Sequence, residues 1–147
     1  MGHSFLMDGG IWIVEGNWLE KNQDPQTVTG KTIVSWDRDN WFSMVTNLNF
    51  VNSDRTEISY QCRGRLGNKE RYYTYVSKQS FLGRIEGEGW IAQNSIVQRY
   101  WVLGDPKKRT GFETFYRLDD RTYFLSSGIL SGLSLTNTME AKLLRHT

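Results

Sequence analysis

The chain has 147 residues, with seven Phe, seven Tyr and six Trp, and its acids and bases are interspersed to a formal net charge of +2. That length suits one domain, residues 1–147, and the aromatic residues supply bulk for a sizeable core. The lack of a basic tract excludes the usual electrostatic footprint of nucleic-acid binding, and no segment approaches the ~20 uninterrupted apolar residues of a spanning helix.

The dominant period is two. β-Branched and aromatic residues alternate with polar ones, and Asn, Asp, Gly and Ser punctuate them at short intervals, which predicts strands and tight turns. Residues 1–9 read as a flexible tail, a short lid or a tag remnant. The first strand is predicted over Ile11 to Glu20, closed by Asn22-Gln23-Asp24-Pro25. Strands follow over Thr27 to Trp36, Trp41 to Val51, Thr56 to Leu66, Glu70 to Ser77 and Phe81 to Ala92. Four more are predicted over Ser95 to Leu103, Arg109 to Leu118, Arg121 to Ser127 and Leu133 to Arg145. Short loops make sequential strands antiparallel neighbours. About ten meandering strands leave two exposed edges unless the sheet closes, so the expected fold is all-β, a single antiparallel up-and-down barrel. A flattened sandwich is the structural alternative. An eight-stranded barrel already holds one small ligand, so ten strands should enclose a cavity.

Some faces separate cleanly. Trp12, Val14, Gly16 and Trp18 share one side of the first strand, and Phe42, Met44, Leu48 and Phe50 one side of the third. On the last strand Leu135, Asn137, Met139, Ala141, Leu143 and Arg145 alternate with a largely polar set. The seventh strand is ambiguous: Ile96, Gln98, Tyr100 and Val102 face one way, and Val97, Arg99, Trp101 and Leu103 the other. Alternating Gly83, Gly87 and Gly89 imply a barrel corner or a close approach by another group.

Gly10-Ile11-Trp12 opens the first strand, Gly16-Asn17-Trp18 repeats the spacing, and Arg145 stands on the last strand. This combination resembles the calycin barrels: lipocalins, fatty-acid-binding proteins, avidin and relatives. The resemblance implies that Trp12, Trp18 and Arg145 are structural and shut the barrel, with the guanidinium stacked on an indole. The stretch Leu135 to Arg145 is also similar to the final strand of nitrobindin-type haem barrels, where a histidine ligates the iron. The matching position here carries Thr138, which is not a usual iron ligand, so no cofactor is expected. The layout further resembles small barrel families with a Trp-rich first strand. Lyases that attach bilin pigments to proteins use a similar barrel, but their motifs have no match in this chain.

Two histidines and one cysteine, scattered, exclude a clustered zinc site. No Gly-x-Ser-x-Gly and no phosphate loop occur. The lone Cys62 reads as a packed thiol; it cannot form an internal disulfide, which favours a reducing, cytoplasmic compartment. Met1 to Leu6 lacks the pattern of a signal peptide. Glu86 and Glu88, which share a strand face with Arg84 and Trp90, read as a solvated outer face. Glu113 and Arg117 share a face of the eighth strand; if it points inward, they and Arg99 could hold a carboxylate head group, as internal Arg and Tyr do in the fatty-acid-binding proteins. Trp101, Tyr73, Tyr75 and Tyr123 complete the candidate ligand-binding set, with no catalytic residue assigned. The leading expectation is a binding barrel for a small hydrophobic or amphipathic molecule. An enzyme using the cavity, such as an isomerase or pigment lyase, and a homodimeric interaction module with a filled interior are the alternatives.

Overall fold

A computed structural model describes residues 2–67 and 71–146. Ten strands run in chain order: β1 Gly10–Glu20, β2 Gln26–Trp36, β3 Trp41–Phe50, β4 Ile58–Leu66, β5 Tyr72–Gln79, β6 Gly83–Ile91, β7 Ser95–Val102, β8 Arg109–Asp119, β9 Thr122–Ser131 and β10 Ser134–His146. Each pairs antiparallel with its sequence neighbour, and β1 pairs with β10, from Ile11↔His146 to Glu20↔Asn137, so the sheet closes into a barrel. Closure leaves no strand edge unpaired. Asn22, Asn52, Gly104 and Gly132 adopt the left-handed backbone that tight connections need.

The strand boundaries differ from the sequence reading in places that matter. β5 continues past Ser77 to Gln79, and β9 past Ser127 to Ser131. The expected start of the fifth strand at Glu70 lies outside the described residues. On β10 the register shifts between Leu135 and Asn137, where the Thr136 hydroxyl donates to the Ile129 carbonyl. This bulge turns Leu135 onto the outer face, half exposed, rather than inward with Met139. The other assigned faces of β1, β3 and β10 point inward: Trp12, Val14, Phe42, Leu48, Ala141 and Leu143 are almost fully buried.

Aromatic rings lie across the inner wall over glycines. Tyr73 pairs with Gly89, Tyr75 with Gly87, and Tyr100 with Gly111. A Cβ placed on Gly89 would lie 2.1 Å from Tyr73 Cζ; on Gly111 it would lie 2.1 Å from Tyr100 Cζ. The close approach is therefore made by the chain's own tyrosines at Gly87 and Gly89, whereas Gly83 faces open space at a left-handed φ of 87°.

Residues 2–9 fold across one end. Phe5 and Leu6 are buried, and Phe5 stacks on Phe115 at 4.7 Å and meets Trp12 edge-on at 5.3 Å. Trp36 Nε1 donates to the Leu6 carbonyl, and the Ser4 hydroxyl to the Asp120 carbonyl. The Arg145 guanidinium lies 5.7 Å from the Trp12 ring and donates to the Gly9 carbonyl at 3.2 Å. Trp18 stands at the opposite end. There its indole donates to Glu20, and Arg55 lies over Phe50 at 4.4 Å and Trp18 at 5.7 Å while pairing with Glu20 at 2.5 Å.

Gly89→Ala should lower stability by about 1–3 kcal/mol in urea denaturation, because the Tyr73 ring is buried and has nowhere to move. Adding Tyr73→Leu should recover part of that loss. A neutral Gly89→Ala would contradict the ring-over-glycine packing.

Candidate functional site

The barrel interior holds a cavity of about 40 Å³. Its apolar wall comes from Val14, Met44, Leu48, Ile85, Met139 and Leu143. Its polar wall comes mainly from β4, β5, β7 and β8. Tyr60, Gln79, Gln98 and Glu113 line it there, together with Tyr75 and Tyr100. Strand alternation explains the grouping: cross-strand partners share a face, so Tyr60↔Gln79 and Gln98↔Glu113 both point inward.

One hydrogen-bonded chain crosses this wall. Tyr73 donates to Gln98 Oε1 at 2.6 Å, and Gln98 Nε2 donates to Glu113 Oε1 at 2.7 Å. Gln98 is thereby spent at both ends of its amide. Gln79, only 2 % exposed, is not: neither of its amide atoms has a partner. Tyr60 lies close enough to Gln79 for the amide to favour its phenolate slightly, without hydrogen-bond geometry between them. The Tyr75 hydroxyl is also buried and unpartnered. Buried polar groups without partners are rare and costly, so such a cluster facing a cavity calls for something to fill it.

The electrostatics are one-sided. Burial raises the Glu113 carboxyl above the usual carboxylate range, opposed by the hydrogen bond from Gln98. Burial, and then the Glu113 charge, push up Tyr60, Cys62, Tyr75 and Tyr100. Cys62 is thus a neutral packed thiol rather than a nucleophile. Among the described residues, no lysine, arginine or histidine lines the cavity.

The sequence-derived candidates therefore separate. Glu113 and Tyr75 line the cavity, and Tyr73 reaches it through Gln98. Arg99 and Trp101 lie on the outer face of β7, where Arg99 approaches Glu88 at 3.8 Å and Trp101 faces Glu86. Arg117 sits at the end of β8 and donates to the Gly2 carbonyl. Tyr123 packs under the N-terminal cap, its hydroxyl 2.6 Å from His3 Nδ1. The three-residue anion site of Glu113, Arg117 and Arg99 is thus not assembled. Glu86 and Glu88 alternate with inward glycines on the outer face, as read from the sequence. Sequence reasoning missed Gln79 and Tyr60; Gln79 lies beyond the expected end of its strand, and only the closed register pairs the two.

The haem of the barrels that the last strand resembles does not fit these residues. Thr138 alternates with inward Met139 and so points outward, and His146 is exposed. His3 Nε2 is held by the Ala92 carbonyl outside the cavity. Among the described residues no group of three or more His, Cys, Asp or Glu is placed to hold a metal ion.

Fold and site together define a closed, ten-stranded antiparallel barrel with a small, partly polar interior. Two solved structures share the fold. An S-type phycobiliprotein lyase, CPES from Guillardia theta, matches with a TM-score of 0.68 and 10% identity, over 95% of this chain and 89% of its own. Rv2717c from M. tuberculosis matches with a TM-score of 0.73 and 14% identity, over 94% and 92%. The sequence matches no protein-family model and no curated protein. No helix among the described residues is long and apolar enough to cross a membrane.

A buried carboxyl whose proton is held more tightly in the folded state costs stability as pH rises. Below the unfolded value both states are protonated; above it the unfolded chain releases the proton first, and folding weakens until the folded carboxyl also ionises. Glu113→Gln should therefore raise the urea midpoint at pH 8, with the gap closing near pH 4. An equal gap at both pH values would contradict a desolvated Glu113.

Proposed function

We propose that this protein is a small-molecule binding barrel for an amphipathic ligand held in its interior. The observation that carries the reading is the set of unpartnered polar atoms, Tyr75 Oη and both ends of the Gln79 amide, facing a cavity whose other wall is apolar. A ligand would pair those atoms and cover Met44, Leu48 and Met139. The methionines allow a snug cavity to enlarge, since their unbranched side chains re-pack readily. The two barrel neighbours support the reading at the level of fold, and one of them is a phycobiliprotein lyase.

Catalytic use of the same cavity is a second reading, favoured by one observation: a carboxyl raised by burial beside a cavity is suited to carrying a proton. A Glu113→Gln variant that binds a converted compound normally but turns it over at least about 100-fold more slowly would support it.

Native mass spectrometry of freshly purified protein, with displacement of a fluorescent amphiphile, tests the binding reading. A bound mass, or saturable displacement that is weakened by filling the cavity with Ser77→Phe, is expected. No bound mass and no displacement would contradict it.

A further inference from the structure

The chemistry of the unspent groups narrows the ligand class, on the premise that the cavity binds a ligand at all. We infer that the head group this barrel accepts is an uncharged amide with its N–H and C=O on one side, as in a lactam or primary carboxamide, and that Gln79 and Glu113 select it over a carboxylate.

Three observations carry this. First, Gln79 offers an acceptor and a donor side by side, both buried and unpartnered. A planar group with an adjacent donor and acceptor satisfies both at once through two parallel hydrogen bonds. A hydrogen bond from Tyr60 would satisfy only one end of that amide.

Second, the remaining inward groups repeat the demand. Glu113 uses one oxygen to accept from Gln98 and has the other for an N–H donor. The Tyr75 hydroxyl adds a group able to donate to a carbonyl.

Third, the charge balance opposes an anion. Among the described residues the lining contains one carboxyl and no lysine, arginine or histidine. The cations near the barrel are engaged elsewhere: Arg55 with Glu20 and Gln26 at one end, Arg117 and Arg145 with backbone carbonyls at the other, Arg99 beside Glu88 outside. A carboxylate brought in would lose its hydration beside Glu113 without a counter-charge, and such a group is expelled or forced to take up a proton. A free cation is a poorer match, because it leaves the acceptor-seeking Gln79 Nε2 and Tyr75 hydroxyl unused.

The test uses the full chain and three matched probes: 2-pyrrolidinone, butyramide and butyrate, titrated at pH 7.5 while the backbone amide resonances of Gln79, Gln98 and Glu113 are followed by NMR. Ligands this small bind at roughly millimolar levels, within reach of the method. Saturable shifts are expected with pyrrolidinone and butyramide, and butyrate should bind at least about tenfold more weakly. Gln79→Met should weaken pyrrolidinone about tenfold and leave butyrate unchanged. Glu113→Gln, which keeps the hydrogen bond from Gln98 and removes the charge, should narrow the gap between amide and carboxylate even if Gln79→Met does not fold. Butyrate binding as tightly as the amides would overturn the inference, as would Gln79→Met binding pyrrolidinone as the parent does. If no small probe binds but a fluorescent amphiphile is displaced, the amide preference falls and the binding reading stands; if nothing binds, both fall.

Discussion

A ten-stranded barrel is too wide to be filled by aliphatic side chains alone, and this chain fills it by laying tyrosine rings across glycines. Tyr73 over Gly89, Tyr75 over Gly87 and Tyr100 over Gly111 need a bare backbone beneath each ring. The arrangement has two consequences. It thickens one wall until the interior shrinks to about 40 Å³. It also brings phenols into the core, where Tyr73 orders the Gln98–Glu113 chain and Tyr75 is left without a partner. Packing and site chemistry thus come from the same residues.

The second organising fact is the sign of the interior. Burying a carboxyl is costly unless it is paired, and here the compensation is a single amide N–H from Gln98 rather than a cation. The surrounding phenols and thiol are held neutral by burial, and the Glu113 charge pushes them further the same way. The interior is therefore hostile to anions while retaining several neutral hydrogen-bonding atoms. The barrel ends carry different contacts: the N-terminal segment and Arg145 over Trp12 at one, Arg55 over Trp18 and Phe50 at the other.

Much of this was legible in the sequence. Period-two patterning and turn residues marked all ten strands, and the Gly10–Trp12 and Arg145 pairing pointed to the closed barrel. Clean alternation fixed the faces of β1 and β3, and of β10 from Asn137 onward, where one set of side chains is distinctly more apolar. Alternation failed on β7, because Arg99 and Trp101 are as bulky as Gln98 and Tyr100, so outward residues entered the candidate site. It failed at Leu135, because a bulge adds a residue that parity cannot anticipate. Gln79 was hidden for a different reason: a polar residue followed by Ser80 resembles the start of a turn, and only pairing with Tyr60 and Gly83 extends β5 that far.

The unpartnered Gln79 amide beside Glu113 calls for a small neutral hydrogen-bonding molecule in the barrel interior. The most direct measurement is the electron density of crystals soaked in 2-pyrrolidinone. The expected result is a ring inside the barrel, with its N–H and carbonyl both within hydrogen-bond distance of the Gln79 amide. An interior in which Gln79 turns onto Tyr60 and Glu113 and leaves no room, with the soaked molecule found only on the outer face, would contradict it.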